Sequence, residues 1–339
     1  MEGVKGHMGT VTFSKILPYV RQVPHIYGQE NLYDADALLA QNNTQLKRFT
    51  AHVFLGEITS SHEGGLRICT QDRELGEDLA LENDEISLVD SNTVGAITKV
   101  FADDCVIIPL IRPGYTIYGH WLLDLLPKVN FFRTLHPDLK YKLLIHENTP
   151  KWAISIIEAF GSGEMVTIKS DSWVKGNFFL MSPVRHHDYI SEICYLDKLS
   201  PRPSTVGQRK LYLSREKVGV AYRNFHNSKE VEQLFTEYGF EVLYPEQHSI
   251  EEQVKIFANA RVLAGEGGSA LHNNILCAPG TRIINLQSGR QNHLIQASLC
   301  KWYDQAAEYV FGPSDTDDWG AGYSIPEQYC RQILSGLDD

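Results

Sequence analysis

The sequence predicts an α/β protein of two domains, the second built on a parallel, doubly wound sheet, and three observations carry that expectation. Strand and helix patterns alternate with short links from Lys210 to Leu286, the arrangement of a parallel sheet. Two prolines in Leu199-Ser200-Pro201-Arg202-Pro203-Ser204 forbid regular structure between patterned stretches. The length, 339 residues, corresponds to about two domains. The expected division is 1–200, of which 1–90 is weakly patterned, then 205–312, then a tail at 313–339.

The second domain is the easier to justify. Lys210–Leu213 reads as a strand, and Asn227 with Glu230 has the spacing of a capping box opening a helix. Val231, Leu234, Phe235 and Tyr238 fall on one face of that helix, which Gly239 closes. Phe240–Leu243 is the next strand. Ser249 and Glu252 make a second capping box before a helix burying Val254, Ile256, Phe257 and Ala260. Arg261–Ala264 is a strand, followed at once by Gly265-Glu266-Gly267-Gly268-Ser269 and a helix through about Cys277. Pro279-Gly280 turns the chain into the strand Arg282–Leu286.

The first domain alternates less cleanly. Ala96–Phe101 and Cys105–Leu110 read as strands, joined as a hairpin through Asp103-Asp104. Tyr118–Leu135 is a helix that Pro127 kinks or interrupts. Lys142–His146 and Met165–Lys169 are strands around a helix at Pro150–Phe160, and Phe178–Ser182 is a further strand. Ser324 and Glu327 suggest a capped terminal helix, Pro326–Leu334, packing back on the first domain.

Composition limits the function. The chain is 43% hydrophobic and 22% charged, as expected of a soluble protein, and its net charge of −11 excludes the basic stripe of a nucleic-acid binder. No apolar run reaches transmembrane length, and Met1–Thr10 lacks a signal-peptide core. The expected location is cytoplasmic, with peripheral association at the inner membrane allowed. The six cysteines form no CxxC pair and are expected to be reduced and buried.

Ligands of open parallel sheets bind where strands end, and the candidate residues follow strands. Gly265, Gly267 and Gly268 let a phosphate approach the backbone, and Ser269 opens the following helix. Arg215 and Arg223 follow the strand at Lys210–Leu213, and their forked guanidinium groups suit a diphosphate. Glu266 would repel phosphate there, so a sugar hydroxyl or a nearby arginine is its expected partner. His120 and Asp124, at i and i+4, share a helix face and form a general-base pair, with Asp124 slightly preferred as the base. Tyr115, Tyr118 and Trp121 are aromatic candidates for lining a ligand cleft. Asp34-Ala35-Asp36, Asp315-Thr316-Asp317 and His186-His187-Asp188 are weaker metal candidates, and no metal or resident cofactor is expected.

These residues resemble a known family. Tyr118–Pro127 (YGHWLLDLLP), Tyr212–Arg215 with Arg223 and Asn227, Glu252-Gln253, Ala260, Gly265–Asn273 (GEGGSALHN) and Pro279-Gly280 stand in the order and spacing of glycosyltransferase family 61. Its bacterial members serve capsular polysaccharide biosynthesis. The resemblance covers roughly residues 100–290. It implies two Rossmann-like domains facing a cleft (GT-B-like), with metal-independent, inverting transfer. The partners it implies are a nucleotide-sugar donor, as co-substrate, and a glycan or lipid-linked glycan acceptor. By the same resemblance Arg215, Arg223 and the loop Gly265–Asn273 hold the donor diphosphate, while His120 and Asp124 face the acceptor. Gly267 stands where the family usually carries a histidine, which keeps a non-catalytic nucleotide-sugar-binding module as the alternative. No glutamate after residue 204 has another eight positions on, a spacing frequent in retaining GT-B enzymes. An epimerase would need a G-x-G-x-x-G run at a first strand, which this late G-E-G-G run does not supply.

Overall fold

The computed structural model describes residues 11–19, 23–36, 45–71, 86–160, 163–181, 203–218, 224–291 and 293–337. Arg223, His186-His187-Asp188, Cys194 and the linker residues 199–202 lie outside them. The chain divides into two compact units, one of residues 1–18 and 46–199, the other of residues 19–45 and 200–339.

The strands before the division are β1 (Val11–Tyr19), β2 (His25–Tyr27), β3 (Gln45–Ser60), β4 (Leu66–Thr70), β5 (Ile86–Leu88), β6 (Ile97–Val100), β7 (Cys105–Pro109), β8 (Lys140–His146), β9 (Glu164–Ile168) and β10 (Trp173–Met181). Nine of them form the first unit's sheet, in the order β5-β4-β3-β10-β7-β8-β9, with β1 on β3 and β6 on β10. From β10 to β9 the pairing is parallel, but β3 runs antiparallel to both β10 and β4, so this sheet is mixed. The cause is local. Ser61–Gly65 is a tight turn in which Gly64 takes φ 94°, and a β-carbon there would come within 2.2 Å of the Arg112 carbonyl.

The expected hairpin at Asp103-Asp104 is not formed. β6 and β7 both pair parallel with β10, at Trp173–Lys175 and Asn177–Phe178 respectively, so they are one line interrupted by a jog. The buried Asn177 amide donates to the Asp103 carbonyl (2.9 Å) and pins that jog. One face of the sheet buries Phe54, Ile58, Ile68, Ile107 and Phe178. On the other, Phe179 meets Phe131 and Phe132 of the long helix α1, as the two-residue period of a strand requires. Helix α1 comprises Tyr118–His120, a π-turn at Trp121–Leu125, and Leu126–Leu135. Pro127 would bring its ring against the Leu123 carbonyl in a regular α-helix, and the wider turn falls there. Helix α2 is Lys151–Phe160.

In the second unit β11 (Arg209–Leu213), β12 (Glu241–Leu243), β13 (Ala260–Glu266), β14 (Arg282–Ser288) and β15 (Ala306–Gly312) join β2. The order β12-β11-β13-β14-β15-β2 is parallel throughout. Helices α3 (Ser228–Glu237), α4 (Ile250–Ala258), α5 (Ile295–Tyr303) and α6 (Glu327–Ser335) cover both faces. Val231, Leu234 and Phe235 of α3 and Cys330, Ile333 and Leu334 of α6 share one core with Val262, Ala264, Ile284 and Val310. The opposite face carries α4, α5 and the 3-10 stretch Ser269–Leu276. This is the doubly wound order, whose direction of winding reverses between β11 and β13.

Helix α4 has its expected cap: Ser249 Oγ accepts from the Glu252 N–H (3.2 Å), and Glu252 Oε2 accepts from the Ser249 N–H (2.8 Å). Ser249→Ala is expected to lower stability by about 1 kcal/mol, read as a small fall in melting temperature. The other two capping boxes do not form. The Asn227 side chain instead clamps Ile325, donating to its carbonyl (2.8 Å) and accepting from its N–H (3.0 Å). The terminal helix begins after Pro326 with no side-chain cap, and it packs on α3 of its own unit.

Candidate active site

In the first unit, β7 delivers the chain to a loop that precedes α1. The π-turn holds Asp124 inward at 2% exposure, and His120 Nδ1 lies 2.5 Å from its Oδ2. The same oxygen accepts from Arg112 Nη1. Sequence pattern joins His120 to Asp124 but misses Arg112, although an arginine just beyond a strand is the signal that singles out Arg215. The side chains of His120 and Arg112 are 16% and 11% exposed. The imidazole is therefore the more accessible end of the pair, and the carboxylate its buried partner.

The loop itself is anchored from below. Tyr115 is buried, with its hydroxyl 3.1 Å from His146 Nδ1 and 3.2 Å from the His62 carbonyl. The Asn148 N–H also donates to His146 Nδ1 (3.1 Å), so the proton sits on Nε2, which donates to Ser170 Oγ (3.1 Å). Burial holds the His146 imidazole below its ordinary pKa and pushes the Tyr115 phenol up. Trp121 is fully buried and donates its ring N–H to the Tyr115 carbonyl (2.6 Å). Tyr115 and Trp121 thus build the scaffold and do not line an open cleft; Tyr118 is half-buried.

In the second unit, the register Leu213↔Gly265 sets the ends of β11 and β13 side by side at the point where the winding reverses. Arg215 Nη1 lies 3.5 Å from Glu266 Oε2, so the carboxylate in the glycine run has an arginine as its partner. A groove opens here, lined by Ser214, Arg215, Ser228, Lys229, Glu232 and Glu266. Lys229 is in turn paired with Glu216 (3.2 Å).

The glycine run differs from a simple strand-to-helix loop. β13 continues through Glu266, and the Gly267 N–H donates to the Leu286 carbonyl (2.8 Å), so that donor is spent on the sheet. Gly268 is extended, and Ser269 begins a 3-10 stretch in place of the expected α-helix. Its first internal bond runs from the Leu271 N–H to the Gly268 carbonyl (3.0 Å), which leaves the N–H groups of Gly268 and Ser269 ahead of the ladder. Asn273 is fully buried and donates to the Ala270 carbonyl (3.1 Å), shaping this turn from within. A β-carbon on Gly265 would lie 2.9 Å from the Leu213 carbonyl oxygen, and one on Gly267 would lie 2.6 Å from Asn285 Oδ1 and 2.8 Å from Gln287 Oε1, both on buried side chains. Gly265→Ala, by parting two strands, and Gly267→Ala, by displacing two buried amides, are therefore each expected to cost about 1–3 kcal/mol. Urea melts of the two variants check both costs.

The acidic pairs are otherwise engaged. Asp315 lies 2.6 Å from His226 Nε2, and Asp317 pairs with Arg290. Asp34 and Asp36 are exposed on the surface. Among the described residues no three His, Cys, Asp or Glu side chains converge in a metal-binding geometry. Cys69, Cys105, Cys277, Cys300 and Cys330 are buried and form no disulfide, and no described helix is long and apolar enough to cross a membrane.

Residues 118–284 match the family model described as Glycosyltransferase 61. That stretch begins at the first residue of α1 and ends in β14, so it contains both His120–Asp124 and Arg215–Glu266. The match defines the class: the chain is a glycosyltransferase. It belongs to glycosyltransferase family 61. No curated protein matches the chain.

Proposed function

We propose that this glycosyltransferase moves a sugar, with inversion and without a metal, from a nucleotide-sugar donor to a glycan or lipid-linked glycan acceptor. The proposal includes a GT-B-like pair of Rossmann-like domains, a cytoplasmic location with peripheral membrane association, and a role in cell-surface or capsular polysaccharide synthesis. The observation that carries it is that one family match spans both clusters of functional side chains.

The chemistry is a single displacement. An acceptor hydroxyl attacks the anomeric carbon, the bond from that carbon to the diphosphate oxygen breaks, and the hydroxyl proton passes to His120. Asp124 orients the imidazole and stabilises it once charged, which exchanges the two roles first expected for them, because the carboxylate is the buried member. Arg215, Arg223 and the N–H groups of Gly268 and Ser269 receive the charge of the leaving diphosphate. Glu266 yields Arg215 to the incoming phosphate and takes a donor hydroxyl.

A thermal-shift series with UDP-, GDP-, CMP- and dTDP-sugars, with and without EDTA, tests the donor site. At 100 times its dissociation constant a ligand of the folded state adds about 2.7 kcal/mol. One nucleotide class is expected to raise the melting temperature, equally with EDTA present. The alternative, a non-catalytic binding module, draws on the Arg215–Glu266 pair, which offsets the charge a diphosphate needs. It would show the same shift with no nucleotide released in the presence of acceptor. No shift with any donor would sink both readings.

A further inference from the structure

Beside His120 the first unit keeps an apolar surface exposed. Ile117 is 46% exposed and Trp152, in the first turn of α2, is 37% exposed. Single exposed apolar side chains are ordinary, but Ile117 reaches the space beside the His120 ring, and Trp152 packs on Tyr118 and Trp121, which stand on either side of His120 in the sequence of α1. The Trp152 ring lies 5.8 Å from Tyr118 and 6.4 Å, edge-on at 87°, from the buried Trp121. Trp121 cannot turn, because its ring N–H is bonded to the Tyr115 carbonyl (2.6 Å). Gly114 connects this surface to the imidazole: one point above its α-carbon lies 3.2 Å from both His120 Nε2 and Ile117 Cδ1. The glycine, at φ 77°, puts no side chain between them.

We propose that Trp152, with Tyr118 and Ile117, forms the acceptor subsite and takes the C–H face of a pyranose ring, with the ring's hydroxyl edge directed toward His120. The inference rests on the transferase reading of His120 and Asp124. A sugar ring suits this surface because it has an apolar C–H face to stack on an aromatic and a polar rim for the imidazole. A rigid indole also costs less entropy on binding than a flexible apolar chain.

Saturation-transfer NMR on the full chain tests it. The aromatic protons are irradiated in the presence of the methyl glycosides of glucose, galactose, xylose and N-acetylglucosamine. At least one glycoside should receive saturation on its ring C–H protons. Trp152→Ala should weaken its binding roughly tenfold, the scale of losing one aromatic stacking partner. Trp152→Phe, which keeps a ring against Trp121, should retain part of the signal, so a folding defect in the alanine variant does not decide the matter. Trp319→Ala, removing a tryptophan that is 56% exposed in the other unit, should change nothing. Saturation of no glycoside, or an unchanged signal in Trp152→Ala, overturns the subsite. So does loss of co-sedimentation with phosphatidylglycerol vesicles in Trp152→Ala with the glycoside signal intact, which would assign this surface to a membrane. The nucleotide-sugar melting series on the same wild-type preparation reads the transferase function separately: its failure beside an intact glycoside signal removes the function and leaves the sugar site.

Discussion

His120→Ala is expected to lower kcat/KM for transfer by roughly 10²–10⁴-fold, with a smaller fall in melting temperature than loss of Arg112 brings, because Arg112 still holds Asp124. The expectation follows from burial. Asp124 is sealed at 2% exposure, and its Oδ2 faces both Arg112 and His120. A carboxylate so placed holds an imidazole well and meets an acceptor hydroxyl poorly. Imidazole added to the buffer should restore part of the activity of His120→Ala, since a small diffusible base can occupy the vacated space. If formate restores Asp124→Ala and imidazole fails with His120→Ala, the proton belongs to Asp124 instead. Asp124→Asn keeps the shape and removes the charge. Its loss reports how much the imidazole depends on an anion behind it.

Arg112→Leu should be among the most damaging single changes to the stability of the first unit. It removes a guanidinium from a carboxylate that has almost no water to turn to, and breaking a buried pair from one side costs about 3–5 kcal/mol. His120 remains as a second partner, so the lower end applies. For a unit of this size that corresponds to roughly 6–12 °C in melting temperature. Arg112→Leu with Asp124→Leu leaves no charge to strand, and it should melt well above the single variant. A single variant melting within a degree or two of the wild type would show that Asp124 does not depend on Arg112. Activity is lost in both variants, so only the melting temperatures separate them.

The difference between what was legible in the sequence and what was not has physical causes. The strands from β11 to β14, the α4 cap and the His120–Asp124 contact all depend on residues near one another in sequence, and periodicity or spacing displays them. The three residues of β2 become a strand only by pairing with β15 near the other end of the chain, and no local pattern marks them. Asn227 has the composition of a helix cap, but its amide has a better offer in the Ile325 backbone, where it both donates and accepts. The glycine run could be read as a phosphate loop, but its backbone could not. Gly265 and Glu266 continue the strand because Leu286 accepts the Gly267 N–H. Arg112 was legible by the reasoning applied to Arg215 and went unread because its partner stands twelve positions on, across a loop.

The pairing of β2 with β15 also sets a timetable for synthesis. Asn31, just after β2, is bonded to Phe311 of β15, 280 residues apart along the chain. At roughly 5–20 residues per second, a ribosome emits the first tens of seconds before the second. During that interval the segment around β2 has no strand to join, and the second unit's sheet is completed only once β15 has emerged. A fragment beginning at residue 203 would leave the edge of β15 bare, an invitation to pair with another copy. The intact N-terminal segment is thus part of what keeps the second unit from associating with itself.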